Sequence, residues 1–333
     1  MKSRLKAIPQ TKRDLFMGVF TLGIILIASF FASDSVVDFL CRMVIYMLFA
    51  SACNIILGFG GLRPLGQGTY FGFAAYAYLF MIVRLQWPVG LALPMALLCS
   101  VGLSALVGFL CLRANDDMAF AFMNMGINTM LFTMVQKLQI VGSDTGITGA
   151  SRLPFATSTR ANFYFCLVVV AVCILVIWLF YRSPFASVLK GSRENLERLT
   201  FLGYNTRNIR LVAYIISGLF CSIAGLLYSM RNMGAFPTMI SPNTSLDALI
   251  MCLIGGMNSF FGPILGAAVM TVINVQLPIY TQYYQAILGV IIVLCVLFLQ
   301  GGMLHDKTTR DIDGGDKKNG GKKKPIQVGG VQK

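Results

Sequence analysis

Residues 58–73 read GFGGLRPLGQGTYFGF, and five glycines, a proline, an arginine and a glutamine fall within the first eleven positions. On either side lie apolar runs, near 36–57 and 64–83, each close to the length that crosses a bilayer as a helix. Inside a membrane every backbone N–H and C=O must find a partner, so broken backbone survives only where it is buried in protein or faces a water-filled cavity. The stretch therefore carries two readings. One is a tight glycine-mediated helix contact, common in membrane bundles. The other is the wall of a transport path, where discontinuous helices gather.

The rest of the chain fixes the setting. Of its 333 residues 56% are hydrophobic and 12% charged, and the mean hydropathy is +0.74. A water-soluble core cannot enclose that much apolar surface, so the composition is that of an integral membrane protein. The net charge of +14 sits in short clusters beside apolar runs. That is the pattern of cytoplasmic loops, and it argues for a lipid bilayer and against nucleic acid as the partner. The nine cysteines mostly lie inside apolar runs without a CxxC pair or a Cys/His cluster, and they read as small buried hydrophobes. His305 follows the last apolar run with no second ligand type nearby. No metal site and no catalytic constellation emerges, so the chain does not read as an enzyme.

Further runs able to span a bilayer lie near 15–32, 88–112, 118–138, 162–181, 209–230 and 285–300. The region 246–277 is longer but broken at GGMNSFFGP, residues 255–263. Read as two short helices, 246–256 and 262–277, it folds as a re-entrant or doubly crossing hairpin, because eleven helical residues reach only about 17 Å. The expected fold is all-α, a polytopic membrane helical bundle with two broken or re-entrant regions. Both breaks place a Gly-Gly step before a proline, which raises an inverted repeat as an alternative. The expected organisation is a basic cytoplasmic tail (1–14), a transmembrane domain (15–304) with a cytoplasmic loop (182–208), and a disordered basic cytoplasmic tail (305–333).

This topology puts 33–38 and the polar loop 139–161 outside, although Arg152 and Arg160 oppose the second placement. It returns the chain to the cytoplasm at Arg182, Lys190, Arg193, Arg198, Arg207 and Arg210, as positive-inside bias requires.

Candidate path residues follow from the breaks: Gly58, Gly60, Gly61, Pro64, Gly66, Gln67, Gly68 and Thr69 in the first, and Gly255, Gly256, Gly262 and Pro263 in the second. Arg63 reads as a snorkelling interfacial cation. Gln67 and Thr69 fall in the first turn after Pro64, where free amides favour an anion such as a carboxylate, and a local helix cap is an equal alternative. Asn54, Asn124, Asn128, Thr129, Gln136 and Asn274 read as helix bridges, and Asp247 as the start of a helix at the membrane surface.

The segment YRSPFASVLKGSRENLERLTFLGYNTRNIR, residues 181–210, predicts a short amphipathic helix over 192–202 that stops at Gly203. Leu196, Leu199 and Leu202 form one face, while Arg193, Glu194, Glu197 and Arg198 form the other. Such a helix either docks in a partner's groove or lies on lipid.

This segment resembles the cytoplasmic loop of permease subunits in the branched-chain amino-acid ABC importer family, of the LivM type, where SPFGRALRAIRENERAAEALGIN is typical. Ser183, Pro184, Phe185, Arg193, Glu194, Asn195, Leu202, Gly203 and Asn205 fall in register, as do Ser217, Ala224, Gly225 and Tyr228 further on. GFGGLRPLGQGTYFGFAAY is similar to the family's GYAGLLSLGHAAFFGIGAY, GSDTGITGASRLP to its TGGSNGLTGIPRP, and LIGGMNSFFGPILGAAV to its LGGLGSLWGPVLGAAL. In this order they cover about 38–300.

The resemblance implies a multi-pass subunit of the bacterial inner membrane that imports branched-chain or similar small amino acids by alternating access. It implies as partners a second permease subunit, two ATP-binding cassette ATPases and an extracytoplasmic solute-binding protein. ATP belongs to the partners, since this chain holds no GxxxxGK[ST] loop and binds no cofactor of its own. Arg193, Glu194, Asn195, Leu196, Leu199 and Gly203 become the expected ATPase-coupling residues, with the loop helix as a lever. Gln67 stands where the family usually has histidine, Arg63 and Pro64 replace a small polar step, and LERLTF replaces an alanine-rich run. Permeases for sugars, nucleosides, urea or amides share the GG…GP.LGA hairpin and remain an alternative. An ion-coupled transporter needs intramembrane carboxylates, and Asp116 and Asp117 lie at a boundary.

Overall fold

The computed structural model describes residues 33–280, apart from 115, 150–157 and 258, with a few isolated positions beyond that range. The expected spans 15–32 and 285–300 and both tails lie outside the described residues, isolated positions aside. The described chain is a helical bundle: α1 Asp34–Asn54, α2 Gln67–Leu79, α3 Val89–Cys111, α4 Asp117–Lys137, α5 Thr159–Arg182, α6 Pro184–Glu194, α7 Leu196–Phe201, α8 Thr206–Asn232, α9 Pro242–Gly255 and α10 Gly262–Tyr280. α1 and α2 each run on into a π-helical turn, Ile55–Phe59 and Phe80–Arg84. Five of these helices are long and apolar enough to cross a membrane: α1 with its π turn, α3, α4, α5 and α8. The protein is therefore a multi-pass membrane protein.

Their outer faces fit that solvent. Leu91, Leu98 and Leu106 on α3, Phe122 and Met130 on α4, and Val168, Val172 and Leu175 on α5 are all exposed. A face of that extent is a liability in water and the natural surface in lipid. α1 is the opposite case, 89% buried along its spanning window against 22% for α4. It is the central post, packed on α5, α8, α9 and α10, while α2 packs on α8 and α3. Close approach of α2 and α8 depends on Gly225, because a Cβ there would overlap the Phe71 carbonyl oxygen.

The ends of the loop helices are written locally. Ser183 Oγ accepts from the Ala186 amide at 3.3 Å and Pro184 takes the first position of α6, a favoured start. Asn195 is extended (φ −158°, ψ 104°), and its Oδ1 accepts from the Arg198 amide at 2.9 Å. The single helix expected over 192–202 is thus two, α6 and α7, because Asn195 caps a new helix instead of continuing the old one. Asn205 caps α8 in the same way, accepting from the Asn208 amide at 3.2 Å.

The expected loop 139–161 holds a short strand, β1 Ile147–Thr148, paired antiparallel with β2 Gly234–Ala235, Ile147 opposite Ala235. This clip ties the loop to the connection between α8 and α9. Asp247 lies in the second turn of α9, not at its start.

Candidate functional site: two helix breaks at one end of the bundle

The first break forms where the π turn Ile55–Phe59 ends. The Leu62 amide reaches back to the Ile56 carbonyl at 3.2 Å, and Gly61 takes a left-handed φ of +71°. The second lies between α9 and α10. Gly256 has φ +105°, a Cβ on Gly255 would overlap the Gly262 carbonyl, and Ser259 Oγ accepts from the Gly262 amide at 2.9 Å. Glycine is required at both turns because an L side chain has no room or no allowed backbone there.

These two breaks touch. A Cβ on Gly58 would overlap the Met257 carbonyl, and Asn54 Nδ2 donates to the Ser259 carbonyl at 3.3 Å. The Tyr181 ring lies between Phe59 and Phe260, with centroids 3.9 and 5.0 Å away. α1 and α9 arrive side by side in the same direction: Cys252 Sγ donates to the Ala50 carbonyl at 3.2 Å, and further along Met257 meets Gly58. An inverted repeat relating these two breaks would put their apices at opposite ends of the bundle. They lie at one end, so the breaks are not inversion mates.

Gly58, Gly60, Gly255, Gly256, Gly262, Pro64 and Pro263 are all buried, and Gly61 is partly so. Arg63 is exposed, with Nη1 3.5 Å from Met118 Sδ.

The start of α2 is wrapped by three other helices. Gln67 is fully buried and makes no cap; its Oε1 accepts from Cys221 Sγ at 3.3 Å, and its Nε2 has no partner. Thr69 Oγ1 accepts from Asn128 Nδ2 at 2.7 Å, and Asn128 also donates to the Ile240 carbonyl at 3.1 Å. Gly66 has no space for a Cβ because Asn124 fills it. Asn124 Nδ2 in turn donates to the Tyr214 hydroxyl at 2.7 Å, which shares a 2.8 Å hydrogen bond with Tyr70. The Gly68 amide, expected to be free for an anion, donates to Ser245 Oγ at 2.9 Å. Asn54, Asn124 and Asn128 thus bridge helices, as their residue type in a membrane bundle suggests. Beyond Thr69 lies an apolar cavity of about 450 Å³ lined by residues including Tyr76, Phe80, Leu131, Val135 and Ile240.

The loop helices join this end of the bundle. Arg193 Nη1 donates to the Gly58 carbonyl at 2.6 Å, and its aliphatic stem occupies the space a Cβ on Gly61 would need. Glu194 is exposed, Asn195 is the α7 cap, Leu196 is half-buried, and Gly203 turns at φ +84°. Leu199 is buried, its Cδ1 taking the space beside Gly191, whereas Leu202 is 69% exposed and Phe201 90%. The predicted face of three leucines is therefore split. The apolar tip presented outward is Phe201 with Leu202, and Phe201 was not among the sequence candidates. Leucine spacing carries no signal for it: α7 is six residues long and Phe201 is its last residue, at the exposed end. Burial pushes the Lys190 amine below its ordinary range, with Arg193 adding to the effect, and its Nζ lies 4.4 Å from the Phe59 ring centroid.

Residues 35–297 match the family described as Branched-chain amino acid transport system / permease component. The high-affinity branched-chain amino acid transport system permease protein LivM of Salmonella typhimurium is 27% identical over 319 residues, covering 86% of this chain and 74% of its own length. Its Escherichia coli counterpart is 26% identical over 323 residues, covering 88% and 75%. The xylose transport system permease protein XylH of Haemophilus influenzae is 28% identical over 128 residues, covering 35% and 34%. No solved structure matches. With the match running from within α1 to beyond α10, the chain belongs to the family of permease components of branched-chain amino acid transport systems.

Proposed function

We propose that this chain is the membrane permease subunit of an ATP-driven importer that moves branched-chain or similar small amino acids inward by alternating access. It lies in the bacterial inner membrane with both termini cytoplasmic. It pairs with a second permease subunit, receives solute from an extracytoplasmic binding protein, and is driven by two ATPases that hold the ATP.

The observation that carries this reading is the Arg193 contact with Gly58. Helices α6 and α7 form an excursion between two spanning helices with a strongly exposed aromatic tip, and Arg193 joins that excursion directly to a broken helix. In the proposed cycle ATPase closure pushes on the Phe201 tip, α6 moves, and the π turn of α1 moves with it. The contact between the breaks at Gly58 and Met257 then opens and closes. The buried breaks described above correspond to a closed arrangement of that path.

Similarity to a xylose permease over about a third of the chain supports a second reading, import of a sugar. The deciding experiment is reconstitution of the chain with its genomic-neighbour ATPases, second permease and binding protein in vesicles, with labelled leucine and labelled xylose as solutes. ATP-dependent leucine uptake is the expected result. Xylose uptake without leucine uptake would replace the first reading with the second, and uptake of neither would remove both.

A further inference from the structure

In the sequence Arg210 is one topology charge among several, yet in the fold it is buried, at 9% exposure, in the second turn of α8. Its guanidinium joins three elements. Nη2 donates to the Ser192 carbonyl at 3.0 Å, and Nη1 to Asp117 Oδ1 at 3.3 Å. Ser192 lies in the last turn of α6, where carbonyls lose their intrahelical partners and accept outside donors. Asp117 is the first residue of α4, where a carboxylate suits the positive end of the helix.

We propose that Arg210 and Asp117 form a positioning pair that carries motion of the α6–α7 segment into α4, and through α4 into the start of α2. This rests on the functional reading above. The inner face of α4 meets the first break directly: Asn124 fills the space beside Gly66, and Asn128 binds Thr69. From Asp117 to Asn128 the helix is a strut of about 17 Å. The two flanks of the first break are then held from consecutive residues of α6. Arg193 grips its carbonyl side at Gly58, and Ser192, through Arg210 and Asp117, controls its amide side at Gly66 and Thr69. A displacement of α6 reaches both sides of the break at once, which is the requirement for opening it.

An ion pair whose carboxylate is half exposed, as Asp117 is here at 54%, adds little net stability, so a purely adhesive role would affect protein yield and all activities together. A relay separates hydrolysis from transport. The test uses the full complex in vesicles and reads solute uptake, ATP hydrolysis and ATPase co-purification for wild type, Asp117→Asn, Asp117→Glu and Arg210→Lys. The solute is whichever one the wild type carries. Asp117→Asn is expected to retain co-purification and hydrolysis while uptake per ATP falls about tenfold, a typical size for coupling between sites. Asp117→Glu is expected to recover most of that ratio, and Arg210→Lys to fall between. If Asp117→Asn fails to accumulate, Arg210→Lys decides on the same ratio. An unchanged ratio, or uptake and hydrolysis falling in parallel, overturns the positioning pair alone. A wild-type complex without ATP-driven uptake overturns the functional reading beneath it.

Discussion

Gly61 shows how one residue type answers two demands. Its φ of +71° costs an L residue about 1–2 kcal/mol, and the Arg193 stem already fills the place of its Cβ. Gly61→Ala is expected to lower the melting temperature of the isolated subunit and to loosen Arg193 from Gly58; an unchanged melting temperature would show that the turn is not strained. The need for glycine at 61 was legible in the sequence, but its partner 132 positions away was not, because no local pattern encodes which side chain lies over a turn. Gln67 is a second case. In the sequence it departs from a family histidine and reads as a substrate contact or a cap; in the fold its Oε1 accepts from Cys221 Sγ and its Nε2 has no partner. Leaving a buried amide nitrogen unpaired costs about 1–3 kcal/mol, so Gln67→Met is expected to be at least as stable as wild type by thermal melting. A clear loss of stability would mean that Nε2 has a partner after all. Should the stable variant lose uptake, Nε2 is used in another state of the transport cycle.

Helices were legible where the bilayer dictates them. The expected spans 36–57, 88–112, 118–138, 162–181 and 209–230 lie within or close to α1 with its π turn, α3, α4, α5 and α8, since apolar length leaves a membrane chain few choices. The loop helix was misread for a physical reason. Helical spacing runs on through Asn195, a strong N-cap residue that starts a new helix, so Arg193 and Glu194 fall on α6, Leu196 and Leu199 on α7, and Leu202 just past the end of α7. The consequence falls on Phe201. If the exposed tip is the ATPase anchor, Phe201→Ala is expected to reduce ATPase co-purification severalfold while leaving the melting temperature of the isolated subunit unchanged, as truncation of a central aromatic does at an interface. Retained co-purification would move the contact elsewhere on the loop. Between spanning helices the corresponding test is Gly225→Ala, which drives a methyl group into the Phe71 carbonyl. It is expected to destabilise the α2–α8 contact by about 1–3 kcal/mol, measured as a lower melting temperature in detergent.

At the scale of the whole molecule, the meeting of the two breaks was beyond the sequence. Each break announced itself through glycine, proline and a change in hydropathy. Their contact at Gly58 and Met257 depends on α1 and α9 running in parallel, a tertiary fact. The same packing gives adjacent residues of the loop opposite duties. Arg193 turns inward to the Gly58 carbonyl, while Glu194 is exposed to whatever docks from outside. Taken from sequence alone, the pair Arg193 and Glu194 forms one polar face and should act together. Taken from the packing, the two should separate. Arg193→Ala removes a charged hydrogen bond to a carbonyl in the break, worth about 1 kcal/mol at this exposed position, so the isolated subunit is expected to melt lower even without an ATPase present. Glu194→Ala touches no helix break, so the isolated subunit is expected to melt like wild type and the effect to appear as weaker co-purification of the ATPase. Melting the purified variants and repeating the pull-down distinguishes the two duties. Equal behaviour of both variants in both assays would mean that the loop acts as a single outer surface, and that the Arg193 contact does not tie it to the break.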